Sequence, residues 1–295
     1  MQHQNLAEQS LRMRAITMMC WAIIIFSCLD ATAKYLVSIA DLPLMQAIWL
    51  RFAGHVVLAL IFFGPANAPN LMKSAKPLQQ WLRSLLMLGA TAFNFAAVKY
   101  LQLDQTVTIF FLTPLIVAAL AGPILDEWIG WRRLLAITGG FWGVLLVVRP
   151  DIGGIHWAMI YSFAATLSYA LYNISTRWLV AHDPESVTQF YSPLVGFIIM
   201  APLALSNWVW PESPFIWLLI AGLGLMGGSG HWLLIKAHQI APAPILAPFV
   251  YVGLIAMIIL GYFIFGDVPD IWTLGGAAII ISSGLYLWYR ERTAS

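Results

Sequence analysis

The hydrophobic positions of this chain form long continuous runs, without the alternation of a half-buried strand or the one-sided stripe of a soluble helix. A helix needs about 20 apolar residues to cross the hydrocarbon core of a bilayer. Ten runs meet that requirement, at residues 15–37, 43–64, 80–100, 104–125, 131–149, 156–180, 185–206, 214–236, 241–265 and 270–289. Strands of a membrane barrel would need alternation and turns that are absent here. The pattern predicts an all-α integral membrane protein with ten transmembrane helices.

Composition supports a membrane location and excludes several function classes. Of the 295 residues, 61% are hydrophobic and 9% are charged, whereas soluble domains carry about 25% charged residues. Cys20 and Cys28 lie about 12 Å apart along one predicted helix, too far to form a disulfide. The sequence contains no phosphate-binding loop and no cluster of metal ligands. We expect no cofactor, no metal ion and no nucleic-acid partner, so the partners are the lipid bilayer and a small-molecule substrate.

Basic residues fall mainly on one side of the predicted membrane. With a cytoplasmic N-terminus, eleven lysines and arginines, Arg83 among them, lie on the cytoplasmic side. The three on the outside are Lys34, Lys99 and Arg149. Because cytoplasmic loops carry an excess of these residues, we expect a multi-pass protein of the inner (cytoplasmic) membrane with both termini in the cytoplasm. A cleavable signal peptide over the first run is the alternative, and Asp30 within that run argues against it.

Short segments of the first half return in the second half in the same order. Lys34-Tyr35 correspond to Arg177-Trp178, and Asn94-Phe95 correspond to His231-Trp232. Each half holds five predicted helices, and an odd number forces the second half to enter the membrane upside down. The sequence therefore predicts two inverted five-helix repeats, residues 1–150 and 151–295. Transporters built in this way bind substrate between the repeats, near the middle of the membrane.

Loose motifs in both halves resemble those of one transporter family. In the first half, Lys99-Tyr100-Leu101-Gln102 leads to Leu112-Thr113-Pro114 and then to Asp126-Glu127. The counterpart in the second half runs from Lys236 to Gln239 and then to Gly266-Asp267. With the ten-helix pattern, these motifs make the chain resemble the EamA-type branch of the drug/metabolite transporter (DMT) superfamily. Family members often carry Gly-Glu at the two acidic pairs, so the motif match is partial.

The resemblance implies a secondary transporter that works by alternating access, and we expect a monomer. Length and aromatic content are similar to those of bacterial aromatic amino acid exporters, so we expect export of small neutral metabolites, above all aromatic or other neutral amino acids. The alternative is an exporter of drugs or cationic metabolites that exchanges them for protons, with Asp30 holding the cation.

An enzyme is the weakest of the alternatives. Gly227-Gly228-Ser229-Gly230 matches the nucleophile motif of the rhomboid intramembrane proteases. The serine of such an enzyme needs a histidine base from another helix. The matching histidine segment is missing from the sequence, so we expect no catalytic residue.

Charged residues inside the apolar runs are the first candidates for a transport site, because charge within a membrane is costly. By their positions in the first two runs, Asp30 and Arg51 both lie about 10–12 Å below the outer surface and can meet. Lys34 lies one helical turn from Asp30 on the same face. We expect these three to form a gate or a charge pair; an ion pair with a purely structural role is the alternative.

Polar and aromatic residues of the runs are candidates for the cavity wall. Asn94 lies near the level of Asp30, and their repeat counterparts His231 and Asn173 lie towards the cytoplasmic ends of their helices. We therefore expect two polar sets, one near each face. The candidate cavity residues are Trp49, Asn94, Tyr169, Tyr172, Asn173, His231, Trp232 and Tyr251. Aromatic walls with amide groups suit a small zwitterion that has an apolar side chain.

Overall fold

The structure is a computed structural model of the chain and describes residues 2–101, 106, 109–110, 112–148, 157–266, 268 and 271–293. Throughout these ranges the chain forms helices and no strand, as predicted. The motif residues Gln102, Arg149 and Asp267 lie outside the described residues.

The helices follow the apolar runs closely. Their bounds are α1 Gln2–Ser38, α2 Leu44–Phe63, α3 Pro77–Tyr100, α4 Thr113–Leu125, α5 Trp131–Val148, α6 Met159–Leu179, α7 Glu185–Leu205, α8 Pro214–Ile240, α9 Ala243–Phe265 and α10 Ile271–Thr293. The α-helical pattern of α7 is interrupted at Ser192 and Pro193. A short helical stretch, Pro65–Leu71, lies between α2 and α3.

Six of these helices are long and apolar enough to cross a membrane by length and composition: α1 from Gln9 onward, α2, α3, α7, α8 and α9. Shorter apolar stretches lie in α4, α5 and α10, at Thr113–Leu125, Leu134–Gly143 and Leu274–Ser283. The all-α prediction therefore holds for the described residues.

Local sequence sets several helix ends. α8 begins at Pro214, where a missing N–H is tolerated, and Ser213 Oγ accepts a hydrogen bond from the Phe215 N–H. α4 ends at Asp126, which adopts the left-handed conformation with φ 57°. Left-handed residues commonly end helices, because they turn the chain out of the helical path. The turn at Asp126 directs the next residue, Glu127, back towards the helix bundle.

Residue contacts show which neighbouring helices run antiparallel, because residue numbers then rise along one helix as they fall along the other. α1 with α8, α3 with α6, α5 with α10 and α2 with α7 all pack in this way. For α1 and α8 the contacts are Phe26–Gly230 and Leu29–Gly227, and for α3 and α6 they are Gly89–Ser168 and Phe93–Tyr161. For α5 and α10 they are Gly139–Ser283 and Leu146–Gly275, and for α2 and α7 they are Trp49–Phe197 and Phe52–Gly196.

The parallel helices α2 and α8 approach each other backbone to backbone at Gly54 and Gly224. A Cβ atom built on Gly224 would lie 2.5 Å from the Gly54 Cα atom. Carbon atoms at their best separation are about 3.5–4.0 Å apart, so neither position has room for a side chain. Small residues let membrane helices pack backbone to backbone in this manner.

A polar latch joins the loop before α3 to the loop before α7. The Asp183 carboxylate accepts hydrogen bonds from the Ser74 hydroxyl, the Ala75 N–H at 2.7 Å and Gln80 Nε2 at 2.9 Å. Burial alone would raise the pKa of Asp183, but these hydrogen bonds stabilise the carboxylate and together lower the pKa below its ordinary value of 3.8. The latch therefore depends on an ionised Asp183.

Candidate functional site

A cavity lies between α1, α2, α3, α6 and α8, in the middle of the bundle. Its volume is about 70 Å³. The lining residues are Phe26, Leu29, Asp30, Arg51, Met87, Ala90, Thr91, Asn94, Phe95, Phe110, Tyr169, Tyr172 and His231. Six residues that the sequence singled out, namely Asp30, Arg51, Asn94, Tyr169, Tyr172 and His231, thus surround one space.

The cavity is lined by one acidic side chain, Asp30, and one arginine, Arg51. Asn94 Nδ2 donates a hydrogen bond of 2.9 Å to Asp30 Oδ1, which fixes the carboxylate on the α1–α3 side. Arg51, on α2, is only 4% exposed. Its guanidinium lies 4.8 Å from the centre of the Phe52 ring. The opposite charges of Asp30 and Arg51 attract one another across the cavity.

A chain of buried side chains leads away from Arg51. Arg51 Nη2 lies 3.0 Å from His231 Nε2, and His231 Nδ1 lies 2.9 Å from the Tyr172 hydroxyl. Because a guanidinium can only donate, Nε2 must be the acceptor. A neutral His231 then carries its proton on Nδ1 and donates it to the Tyr172 oxygen. The contact therefore requires His231 to be uncharged.

Arg83 is buried as Arg51 is, although the sequence placed it among the basic residues of the cytoplasmic side. It is 0% exposed. Its three nitrogens donate to the Thr176 hydroxyl at 2.7 Å, the Ser192 hydroxyl at 2.8 Å and the Tyr172 hydroxyl. Nothing in the sequence distinguishes it from a surface arginine, because it lies three residues from the start of the apolar run 80–100.

His55 and Gln189 form a further buried pair that sequence reasoning missed. Their Nε2 atoms lie 3.0 Å apart, and Gln189 Nε2 also donates to the Gly228 carbonyl at 2.8 Å. The His55 ring stacks on the His231 ring at 5.9 Å between centroids. A histidine within an apolar run is the signal that could have identified this position.

Other candidate residues lie away from the cavity. Trp49 donates from Nε1 to the Phe197 carbonyl at 3.0 Å, and Tyr251 donates to the Ile137 carbonyl at 3.0 Å. Trp232 is 41% exposed on the outside of the bundle. These three aromatic side chains therefore do not line the space around Asp30.

Lys34 and Asn173 are also placed outside the cavity. The Lys34 ammonium lies 5.3 Å from the centre of the Phe265 ring. Asn173 donates to the Tyr169 carbonyl at 2.7 Å and lines a narrow pocket beside Thr113 and His238.

The placement of His231 differs from the expected two polar sets. The predicted eighth run ends at residue 236, whereas α8 continues to Ile240. His231 therefore lies about 13 Å from the end of its helix instead of about 8 Å. At this depth His231 contacts Phe26 of α1, with 4.7 Å between ring centroids, one helical turn from Asp30 on the same cavity.

An ion pair closes the end of the bundle where α4, α6, α8 and α9 meet. Glu127 Oε1 lies 2.6 Å from Arg177 Nε, and Glu127 Oε2 accepts from the Ala243 N–H at 2.9 Å. Arg177 also donates to the His238 carbonyl at 2.6 Å. We call these four residues the Glu127 clamp. It stands at the wall of a surface cleft of about 810 Å³.

Three spaces follow one another along α4, α6 and α8. The central cavity reaches Tyr172 and His231, the narrow pocket contains Asn173 and His238, and the surface cleft begins at Arg177. The Glu127 clamp lies between the narrow pocket and the cleft. The clamp residues therefore line both the narrow pocket, through His238 and Ala243, and the cleft, through Glu127 and Arg177.

The protease-like motif has a packing role in the structure. A Cβ on Gly228 would lie 2.4 Å from Leu58, and one on Gly230 would lie 2.6 Å from Phe26. Ser229 Oγ donates to the Leu225 carbonyl of the preceding helical turn at 2.7 Å. The glycines therefore let α8 approach α1 and α2.

Comparison with known families decides the kind of protein. Residues 13–149 and, separately, residues 156–289 match the EamA-like transporter family. The chain belongs to the EamA-like transporter family. This membership, with the apolar helices, makes it a multi-pass membrane transporter and not an enzyme. The predicted resemblance to the EamA branch is confirmed.

Two groups of relatives align with nearly the whole chain. An S-adenosylmethionine uptake transporter of Rickettsia prowazekii (strain Madrid E) is 29% identical over 280 residues, covering 92% of each chain. A riboflavin transporter of Vibrio cholerae serotype O1 is 26% identical over 273 residues, covering 92% of this chain and 91% of its own. Neither is named as an amino acid exporter, and the first is named for uptake. The expectation of amino acid export is therefore incorrect.

One solved structure shares the fold. It aligns with 95% of this chain and 96% of its own at a TM-score of 0.74 and 15% identity. This similarity concerns the helical architecture alone.

Proposed function

We propose that this chain is a secondary transporter that takes up a cofactor-like metabolite, of the chemical class that includes S-adenosylmethionine and riboflavin. The names of the relatives support this substrate class. Both compounds carry a fused heteroaromatic ring and several polar groups. The observation that carries the proposal is the central cavity, which presents aromatic rings beside Asp30, Arg51 and Asn94.

The proposed architecture is ten crossings in two inverted repeats, residues 1–150 and 151–295. Helices at equivalent positions in the two halves, α2 with α7 and α5 with α10, run antiparallel, as inversion requires. Exchanging the halves also converts the α1–α8 pair into the α6–α3 pair, and both pairs occur. The two separate family matches support the same division.

The proposed orientation places the protein in the inner membrane as a monomer with both termini in the cytoplasm. The excess of lysine and arginine at one set of helix ends supports it. Arg177 and Lys236 then lie at the cytoplasmic end, so the Glu127 clamp faces the cytoplasm. For an uptake transporter, this is the side of substrate release.

Alternating access accounts for the small size of the central cavity. Pockets for drug-sized ligands measure about 300–1,000 Å³, whereas this cavity has about 70 Å³. The cavity must therefore widen to load substrate, and the halves must separate on one side at a time. The Glu127 clamp is the proposed cytoplasmic gate, and the Asp30–Asn94 contact belongs to the substrate site.

Uptake into proteoliposomes containing the purified protein tests this function. Labelled S-adenosylmethionine or riboflavin should accumulate in exchange for the same unlabelled compound inside. Tyr172→Phe removes the hydroxyl that links His231 to Arg83 and should lower the exchange rate about tenfold. Tyr262→Phe is the matched control, since Tyr262 is 50% exposed on the surface. Exchange of neither compound would contradict the proposal.

A further inference from the structure

The two buried arginines differ in how their N–H groups are used. All three nitrogens of Arg83 have hydrogen-bond acceptors, namely Thr176, Ser192 and Tyr172. Arg51 is 4% exposed, and only its Nη2 has an acceptor, His231. Its Nε and Nη1 atoms have none among the described residues. Arg51 is therefore a buried cation that leaves two donors unused beside the cavity.

A free donor pair on a buried guanidinium points to an anionic ligand. Burying a charged donor without an acceptor costs free energy that a bound acceptor would restore. Nη1 can donate to one carboxylate oxygen, and the second N–H of Nη2 can complete a parallel pair with the other oxygen, whereas the Nε N–H points along a different edge of the guanidinium. Asp30, which attracts Arg51, accepts its hydrogen bond from Asn94. Its carboxylate forms no ion pair with Arg51 in the described part of the chain.

We propose that Arg51 binds a carboxylate of the transported metabolite, and that this contact selects among the cofactor-like substrates. The inference rests on the uptake function proposed above. S-adenosylmethionine has a carboxylate, with an amino group and a sulfonium that Asp30 can attract across the cavity. Riboflavin has no carboxylate. Its aromatic ring would fit the walls formed by Phe110 and Tyr169, but it would leave Arg51 without an acceptor.

The test compares substrates on the unaltered protein, so it does not depend on a variant that folds. S-adenosylmethionine and its analogue lacking the carboxylate are each measured as inhibitors of labelled S-adenosylmethionine exchange in proteoliposomes. The analogue should need at least about a tenfold higher concentration for half inhibition, the value expected for losing hydrogen bonds to a charged group.

Variants then assign the preference to Arg51. Arg51→Met should raise the half-inhibiting concentration of S-adenosylmethionine about tenfold and leave that of the analogue within about twofold. Arg51→Lys, which keeps the charge but not the fork, should lie between. Arg14→Met is the control, since the Arg14 side chain is exposed, twelve residues into α1. Each variant is accepted only if its size-exclusion profile and melting temperature match the parent protein.

The outcomes separate this inference from the function on which it rests. Equal inhibition by S-adenosylmethionine and its analogue would overturn the carboxylate contact while leaving uptake intact. Exchange of riboflavin without exchange of S-adenosylmethionine would do the same. A protein that exchanges neither compound would overturn the proposed function and this inference together.

Discussion

The contact between Gly54 and Gly224 offers a direct test of how helix packing positions the cavity. In Gly224→Ala, the new methyl group would lie 2.5 Å from Gly54 Cα and 2.7 Å from the Gly54 carbonyl carbon. Both neighbours are backbone atoms, so α2 and α8 must separate by about 1 Å to reach ordinary contact distance. Arg51 lies one turn along α2 from Gly54, and its 3.0 Å contact with His231 crosses this same interface.

The magnitude follows from comparison with a second glycine of α8. A Cβ on Gly222 would meet nothing closer than Met226 Cε at 3.6 Å, an ordinary contact. Both substitutions change helix propensity equally, by about 1 kcal/mol in favour of alanine. The difference between the two variants therefore reports the clash, for which overpacking in cores suggests about 1–3 kcal/mol.

The measurement is thermal unfolding of each variant in the same detergent, followed by exchange activity. Gly224→Ala should melt about 2–8 °C below Gly222→Ala. Its exchange rate should fall because the Arg51–His231 contact is stretched, whereas Gly222→Ala should keep the parent rate. If Gly224→Ala melts with Gly222→Ala and transports normally, the α2–α8 interface does not hold Arg51 in place.

Three further changes test other parts of the structure. Glu127→Gln removes the ion pair with Arg177. At this partly exposed site the loss should lower the free energy of unfolding by about 1–2 kcal/mol and speed amide hydrogen exchange at the clamp. Unchanged amide hydrogen exchange would exclude a gate there. Ionised Asp183 should stabilise the fold above pH 3.8, and this stabilisation should be lost as the pH falls through its lower folded-state pKa. The melting temperature of the parent protein should therefore drop in acid, and that of Asp183→Asn should drop less. Equal drops in the two proteins would refute the latch. Ser229→Ala removes hydrogen bonds to two carbonyls of its own helix, Leu225 at 2.7 Å and Met226 at 3.5 Å. It should change stability by less than about 0.5 kcal/mol and leave transport intact, and lost transport would give this serine a role in function.

The charged residues show where sequence reasoning succeeds. Asp30 and Arg51 stand out because charge is rare in apolar runs, and counting residues from the run ends predicts that they can meet. The structure places both on one cavity. The burial of Arg83 could not be predicted, because Arg83 lies near the end of an apolar run, where an arginine at the membrane surface has the same sequence surroundings. Its burial depends on Thr176 and Ser192, which come from distant helices.

The aromatic residues show the opposite case. Trp49, Trp232 and Tyr251 were expected at the cavity together with Tyr169 and Tyr172, and only the last two line it. In a soluble helix, the polar face reveals which side meets water. In a membrane helix the lipid-facing and protein-facing sides are both apolar, so the pattern carries little information about direction.

The sequence by itself determined the class of protein, the limits of most helices, the family and the two charged residues that line the cavity, because each depends on hydrophobicity or residue type along the chain. Only the tertiary structure decided which side chains share the central cavity, that Arg51 keeps two donors unused there, and that Glu127 joins Arg177 and Ala243. Those facts depend on the rotation and depth of each helix against its neighbours. Close glycine contacts such as Gly54–Gly224 set both quantities, and they join residues far apart in the chain.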